Sequence, residues 1–256
     1  MSTQVDLNCD VGEDETAAGA QREAEVMKHV SSANIACGFH AGSPSFMRET
    51  MATAAQLGLA LGAHPSLADR EHFGRRELAI APERVYEEVL YQSGAAAAIA
   101  RATGGRLNHV KPHGALYNMA ARDVPLAQAI ARAVRDFDPG LVLYGLSGSH
   151  LLDAGAACGL RCAAEVFADR SYQRDGSLTP RSQPGALIDS PDAAAAQVLQ
   201  MLTAGTVRAL DGSEVRIRAD TVCIHGDTPQ APQFARRLRE MLTESLISVM
   251  PVRRAD

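Results

Sequence analysis

Lysine is almost missing from this chain of 256 residues: Lys28 and Lys111 are the only two among 25 basic side chains. Arginine, which carries the rest of the positive charge, is a rigid and permanently charged fork, whereas the pKa of an amine moves with its surroundings. The single lysine set between two histidines, in His109-Val110-Lys111-Pro112-His113, therefore marks a candidate active-site strand. A positive surplus is missing as well. The net charge of −5 argues against a nucleic-acid or anionic-membrane surface, and no apolar run is long enough to span a bilayer. The five cysteines form no Cys-x-x-Cys pair, and Cys9, Cys37 and Cys223 sit in apolar, strand-like runs as small buried hydrophobes. The first residues pass at once into a strand-like segment without a signal peptide, so the expected location is cytoplasmic.

Three familiar catalytic signatures are also lacking. Neither lysine follows a glycine, which excludes a phosphate-cradling G-x-x-x-x-G-K-[ST] loop. Gly-Leu-Ser-Gly-Ser at 145–149 places its second glycine one position too early for a serine-nucleophile elbow, and no H-E-x-x-H occurs.

What is present is a regular alternation. Strand-like segments at 5–10, 33–37, 59–63, 108–111, 141–146, 162–167 and 221–224 are separated by helical ones. Ser43 with Pro44, and Asp189 or Ser190 with Pro191, have the chemistry of helix N-termini. Asp211-Gly212 predicts a β-hairpin inserted at about 206–219. This predicts an α/β fold, a single-domain (β/α) barrel over 1–256 with about seven parallel strands; an open doubly wound sheet is the alternative.

The chemistry collects at strand ends. Asp10 and Glu13, His40, His64, Lys111 and His113, Glu165 and Asp169, and His225 and Asp227 all fall at or just past a predicted C-terminal strand end, the face on which barrels build active sites. Asp10, Glu13, His40, His64, Lys111 and His113 are the expected catalytic set. Carboxylates and imidazoles at such positions can hold a divalent metal, for which Asp10, His40 and His64 are the candidates, or can work metal-free as proton donors and acceptors. Lys111, opposite Val110 in the alternation, is expected to point into the barrel and stabilise developing negative charge. Two polar loops, 66–77 and 173–186, are expected to form a mobile rim. Their arginines Arg70, Arg75, Arg76 and Arg181 suit a carboxylate or phosphate.

At these residues the sequence resembles the LamB/YcsF family. The resemblance rests on Leu7-Asn8-Cys9-Asp10-Val11-Gly12-Glu13, Asn34-Ile35-Ala36-Cys37-Gly38-Phe39-His40-Ala41-Gly42, Gly62-Ala63-His64-Pro65, Val110-Lys111-Pro112-His113-Gly114-Ala115-Leu116-Tyr117, Glu165-Val166-Phe167-Ala168-Asp169-Arg170, Leu178-Thr179-Pro180-Arg181 and Ile224-His225-Gly226-Asp227. It implies a barrel related to sugar deacetylases and the activity of the A component of an ATP-dependent 5-oxoprolinase, opening 5-oxo-L-proline to L-glutamate. ATP would be a co-substrate, subunits B and C would be partners, and a homo-oligomer stays open. Asn8, Arg70, Arg75, Tyr117, Glu165, Asp169, Arg170, His225 and Asp227 are the residues expected to contact the lactam.

Overall fold

In the computed structural model, which describes residues 4–225 and 229–255, the first strand is buried on both of its faces. In β1 (Gln4–Val11) Val5, Leu7, Cys9 and Val11 alternate with Asp6, Asn8 and Asp10, and all are buried. Successive side chains of a strand point to opposite faces. The apolar set joins the core shared with the surrounding helices, and the polar set lies inside the barrel.

The chain continues as α1 (Ala17–Met27), β2 (Ser32–Ala36), α2 (Pro44–Gln56), β3 (Ala60–His64), α3 (Pro82–Ala102), β4 (Leu107–Val110), α4 (Gly114–Arg122), α5 (Val124–Phe137), β5 (Val142–Leu146), α6 (His150–Ala157) and β6 (Arg161–Phe167). It ends with α7 (Pro191–Ala204), the hairpin β7 (Thr206–Arg208) and β8 (Glu214–Arg216), β9 (Thr221–His225), α8 (Ala231–Glu244) and β10 (Ser248–Val249). Seven strands pair in parallel in the order β1-β2-β3-β4-β5-β6-β9, and β9 pairs back onto β1. That closure excludes the open doubly wound sheet.

Barrels of this kind are commonly filled by branched apolar side chains. This one holds a polar network instead. Asp6 accepts from the hydroxyls of Ser31, Ser32, Tyr144 and Thr221. The Asn34 amide donates to Asn8 Oδ1 and Asp10 Oδ1, each at 2.7 Å, and the Asn34 oxygen meets His109 Nε2 at 2.7 Å. Each such bond matters, because an unsatisfied buried polar group costs about 1–3 kcal/mol. The His109 ring stacks on Tyr144 and fits only because residue 62 is glycine: a Cβ there would lie 2.0 Å from His109 Nε2.

The N-terminal end of the barrel is sealed. β10 pairs with Gln4 and Val5, the Asn108 amide donates to the Val252 carbonyl, and Arg254 bonds the Leu107 carbonyl and Asp138. Val252 packs on Val142, Tyr144 and Ala163. The opposite end is open.

Two elements differ from the sequence expectation. The stretch around Lys111 is a strand only to Val110, and α4 begins at Gly114. Gly114 has φ +55, and a Cβ there would lie 2.5 Å from the Gly74 carbonyl oxygen, so the glycine is what lets the chain turn from strand to helix against the 66–77 loop. β10 is the other, since two residues give no periodicity to read.

Candidate active site

At the open end, Gly12 to Asp14 bring the chain out of β1, and a buried side chain holds this turn. Glu23 of α1 accepts from the backbone N–H groups of Gly12, Glu13 and Asp14 at 2.8, 3.0 and 3.1 Å. Burial pushes its carboxyl up to about 7, against the pull of those three donors. The clamp sets Glu13 against three histidines from three other strand ends. Glu13 Oε1 lies 2.9 Å from His40 Nε2, 3.3 Å from His113 Nδ1 and 3.9 Å from His64 Nε2. The rings of His40 and His113 stack at 3.8 Å.

The partners of the other ring nitrogens fix the tautomers. His64 Nδ1 donates to the Lys111 carbonyl at 2.7 Å, and His113 Nε2 donates to the Phe73 carbonyl at 2.9 Å. The Ser66 hydroxyl donates to the Leu67 carbonyl, so it accepts from His40 Nδ1 at 2.9 Å. The rings of His40 and His113 therefore turn a lone pair toward Glu13, and His64 Nε2 faces the same point. His64 Nε2 and His113 Nδ1 face each other at 3.0 Å. Burial holds the imidazoles of His40 and His113 well below the usual range, which keeps them neutral. The lone pairs of His40 and His113 and a carboxylate oxygen directed at one another repel unless a cation or a proton sits among them. Metal-ligating histidines typically donate their second N–H outward in this way. Glu13, His40, His64 and His113 place one donor atom each within 4.8 Å and could hold a metal ion.

Asp10 belongs to a different group. Its Oδ1 takes Lys111 Nζ at 2.9 Å and the Asn34 amide, while Oδ2 lies 3.3 Å from His64 Nε2. Burial would raise the Asp10 carboxyl, but His64 and Lys111 bring it well below the ordinary carboxylate range. The anticipated ligand set of Asp10, His40 and His64 is thus regrouped: Asp10 is turned toward Lys111, and Glu13 and His113 take its place beside the other two. A second donor group, Asp10 with Cys223 and His225, is a poor metal set. Lys111 Nζ lies 3.0 Å from the Cys223 sulfur and 2.9 Å from Asp10 Oδ1, a positive charge that repels a cation at this point.

Lys111 points into the barrel. Nζ meets Asp10 Oδ1 and Glu165 Oε1 at 2.9 Å, Cys223 Sγ at 3.0 Å and Asn8 Oδ1 at 3.3 Å. Burial would lower its pKa, yet Asp10 and Glu165 hold it well above the normal value. Four acceptors already share three N–H groups. Further along the wall, His225 Nδ1 is held by both oxygens of Asp169 at 2.8 and 3.0 Å, leaving Nε2 as the working nitrogen. Above these groups opens a cavity of about 700 Å³, lined among others by Asp10, Glu13, His64, Lys111, His113 and His225. A second cavity of about 370 Å³ lies on the other side of Glu13 and His40.

The LamB/YcsF family model matches residues 5–256. The chain belongs to the LamB/YcsF family. It is 56% identical over 254 residues to the A subunit of the 5-oxoprolinase of Geobacillus kaustophilus (strain HTA426), covering 98% of each chain. Its fold matches the crystal structure of the lactam utilization protein from Thermus thermophilus with a TM-score of 0.90 at 49% identity, covering 96% of this chain and 99% of that one. The Xyl-CE4 domain of a multidomain xylanase from the hindgut metagenome of Trinervitermes trinervoides shares the deacetylase-like barrel alone: 10% identity, TM-score 0.50, 97% of this chain and 88% of that one.

The LamB/YcsF blocks fall around this site, but not all of their residues reach the cavity. Tyr117, Arg75, Arg170 and His225 line it with the central cluster. Asn8, Glu165 and Asp169 stand behind the lining residues, bonded to Lys111, Thr221 or His225. Arg70 is directed away: it donates to the Gly38 and Gly42 carbonyls, pairs with Glu15 and borders the second cavity. Arg76 pairs with Asp69. Asp227 lies outside the described residues. The 66–77 loop is a braced wall whose Ser66 is clamped in both directions by Gln92. Sequence reasoning missed Cys223 as a partner of Lys111, Glu23 as the clamp, and Asn34 and Ser66 as orienters. For Asn34 a signal existed, a polar residue at the inward phase of a buried strand; for Cys223 the apolar surroundings hid it.

Proposed function

We propose that this chain is the A subunit of an ATP-dependent 5-oxoprolinase, which opens the ring of 5-oxo-L-proline to L-glutamate together with subunits B and C. The observation that carries the reading is a near-full-length relative at 56% identity that bears the name of the 5-oxoprolinase A subunit. The geometry supports it: a buried array of carboxylates and imidazoles lies under a cavity roomy enough for a substituted lactam. A lactam is a resonance-stabilised amide with a poor leaving group. Phosphorylation of its carbonyl oxygen by ATP makes the carbon electrophilic, and the sequence lacks a phosphate-cradling loop, so the phosphoryl step is assigned to the partner subunits.

In the ring-opening step, water adds to the activated carbon, the C–N bond breaks and the nitrogen gains a proton; the γ-glutamyl phosphate so formed then loses its phosphoryl group to a second water, giving glutamate and inorganic phosphate. Asp10, held beside Lys111 and His64, can orient the attacking water by accepting its hydrogen bond, and the Glu13 carboxylate among the imidazoles can receive its proton. His225, oriented by Asp169, can deliver one to the departing nitrogen. The Lys111 charge acts from the wall, balancing Asp10 and Glu165 while negative charge builds on the substrate oxygen. Glu13, His40, His64 and His113 would hold a divalent cation, which would supply Lewis-acid polarisation and a more acidic bound water. No helix among the described residues is long and apolar enough to cross a membrane, which is consistent with a proposed cytoplasmic site of action.

Purified chain combined with the cognate B and C subunits should release glutamate from 5-oxo-L-proline only when ATP is supplied. His225→Asn should lower kcat by about 10²–10⁴-fold, the range expected for loss of a general acid. Elemental analysis of the wild type should find a divalent metal that is depleted in His113→Ala. ATP-independent turnover, or none in the complete mixture, would overturn the assignment.

A further inference from the structure

The cavity wall contributed by the 170–181 segment carries a charge that no carboxylate among the described residues pairs with. Arg170 is buried at 5% exposure and lines the cavity. Its guanidinium donates to two neutral acceptors, the Thr179 carbonyl at 2.6 Å and the Ala186 carbonyl at 3.4 Å. No carboxylate pairs with it among the described residues. Its chain neighbour Asp169 is engaged through both oxygens with His225. Burial first, then the cavity-lining Arg181 and more weakly Arg75, bring its pKa down to about 10, against the pull of Asp169. A buried ion without a counter-ion is costly, and the carbonyls relieve its hydrogen bonding but not its charge.

The acidic residues on the cavity do not supply that counter-charge. Asp10 is tied to Lys111, Glu13 faces His40, His64 and His113, Glu77 is paired with Arg122, and Asp175 is turned onto its own loop at Ser177. The cavity therefore has two chemically different walls, one of carboxylate, imidazole and ammonium, the other of guanidinium groups. We propose that Arg170, with Arg181 beside it, forms a subsite for an anionic oxygen group of the substrate: the carboxylate of the lactam or the phosphoryl group of its activated form. The guanidinium fork matches either group with paired hydrogen bonds. The identity of the substrate as a lactam rests on the function proposed above; the anion subsite rests on Arg170, buried at the cavity and without a paired carboxylate among the described residues. Such a subsite would fix the ring's orientation before its amide meets Asp10 and His225, and would favour lactams that carry an acid group.

Calorimetric titration of the full chain with 5-oxo-L-proline, with 2-pyrrolidinone (the same ring without the carboxylate) and with inorganic phosphate separates the possibilities. For the wild type, 5-oxo-L-proline should bind at least about tenfold more tightly than 2-pyrrolidinone. Arg170→Gln should erase that difference and leave 2-pyrrolidinone unchanged. Because Arg170 also anchors two carbonyls, Arg181→Gln, at an exposed residue, serves as the second variant and should weaken the acid-bearing ligand severalfold with an unchanged melting temperature. If the two lactams bind equally but phosphate binds in a manner abolished by Arg170→Gln, the subsite serves the phosphoryl group. Equal lactam affinities with phosphate binding indifferent to both substitutions would overturn the subsite and leave the lactam function standing. Arg170-dependent phosphate binding with no affinity for either lactam would keep the subsite and overturn the lactam reading. Binding of none of the three would count against both.

Discussion

Lys111 shows how far a single side chain could be understood before its surroundings were known. Its inward direction follows from alternation with Val110, and the structure places it inside the barrel at 2% exposure. Its role is narrower than an amine poised over the substrate, because Asp10, Glu165, Cys223 and Asn8 already saturate it. Removing it strands two buried carboxylates. Lys111→Met should therefore cost about 3–5 kcal/mol of stability as well as activity, the range for breaking a buried ion pair by deleting one partner. Urea unfolding measures the first effect, and a variant as stable as wild type would show that the pair is not what balances Asp10 and Glu165. His109 allows a test in the pH dimension. Burial, with Lys111 next, lowers its pKa to about 3, against an ordinary value near 6.5. The unfolded chain thus takes up a proton that the native state refuses, so the stabilising effect of this group is full above pH 6.5 and is lost as pH falls toward 3. The limiting slope is about 1.4 kcal/mol per pH unit for one proton. His109→Gln should be shallower by up to that amount between about pH 6 and 4, and an unchanged slope would show that His109 is protonated in the native state.

At the scale of elements, strands and capped helices were legible because their signals are local. The strands fall close to the expected segments, and Ser43 and Ser190 accept from the backbone at the starts of α2 and α7, as their chemistry predicts. α4 was not legible. Pro112 and Gly114 have the composition of a loop, and what makes residue 114 the start of a helix is a contact with Gly74, far away in sequence. The same logic separates the candidate site into readable and unreadable parts. Asp10, Glu13, His40, His64 and His113 could be named from strand ends, whereas the exchange of Asp10 for Glu13 and His113 in the imidazole cluster depends on the Glu23 clamp and on Lys111. Gly114→Ala tests the element directly. It forces φ +55 on a residue with a Cβ and drives that Cβ into the Gly74 carbonyl, so a loss of about 1–3 kcal/mol is expected, read as a lower melting temperature. Activity should fall further than stability alone explains, since the Phe73 carbonyl next to Gly74 fixes the His113 tautomer. A melting temperature equal to wild type would mean that the 66–77 loop yields without resistance.

At the scale of the whole molecule, the two ends of the barrel have opposite tasks. The C-terminal strand ends carry the lone-pair cluster, the His225–Asp169 pair and the large cavity; the N-terminal ends are closed by the final segment of the chain. Function at one face and stability at the other is the general division of labour in barrels. Here it can be tested by one substitution remote from the chemistry. Arg254 donates to the Leu107 carbonyl at 2.7 Å and to Asp138 at 2.9 Å, with its side chain largely buried, and its backbone N–H donates to Asn108. These contacts hold the tail against the starts of β4 and β5, over Val142 and Tyr144. Arg254→Ala removes a charge-assisted hydrogen bond and a carbonyl cap and loosens the cover of an apolar floor. We expect a loss of about 1–3 kcal/mol in unfolding free energy, the range for hydrogen bonds to charged groups. KM and kcat in the reconstituted reaction should stay within about twofold of wild type at temperatures where the variant is folded, because the polar network of Asp6, Asn8, Asn34 and His109 lies between this floor and Asp10 and is bonded mainly within itself. A large change in KM at full folding would show instead that the network transmits strain along the barrel axis, from the sealed end to the open one.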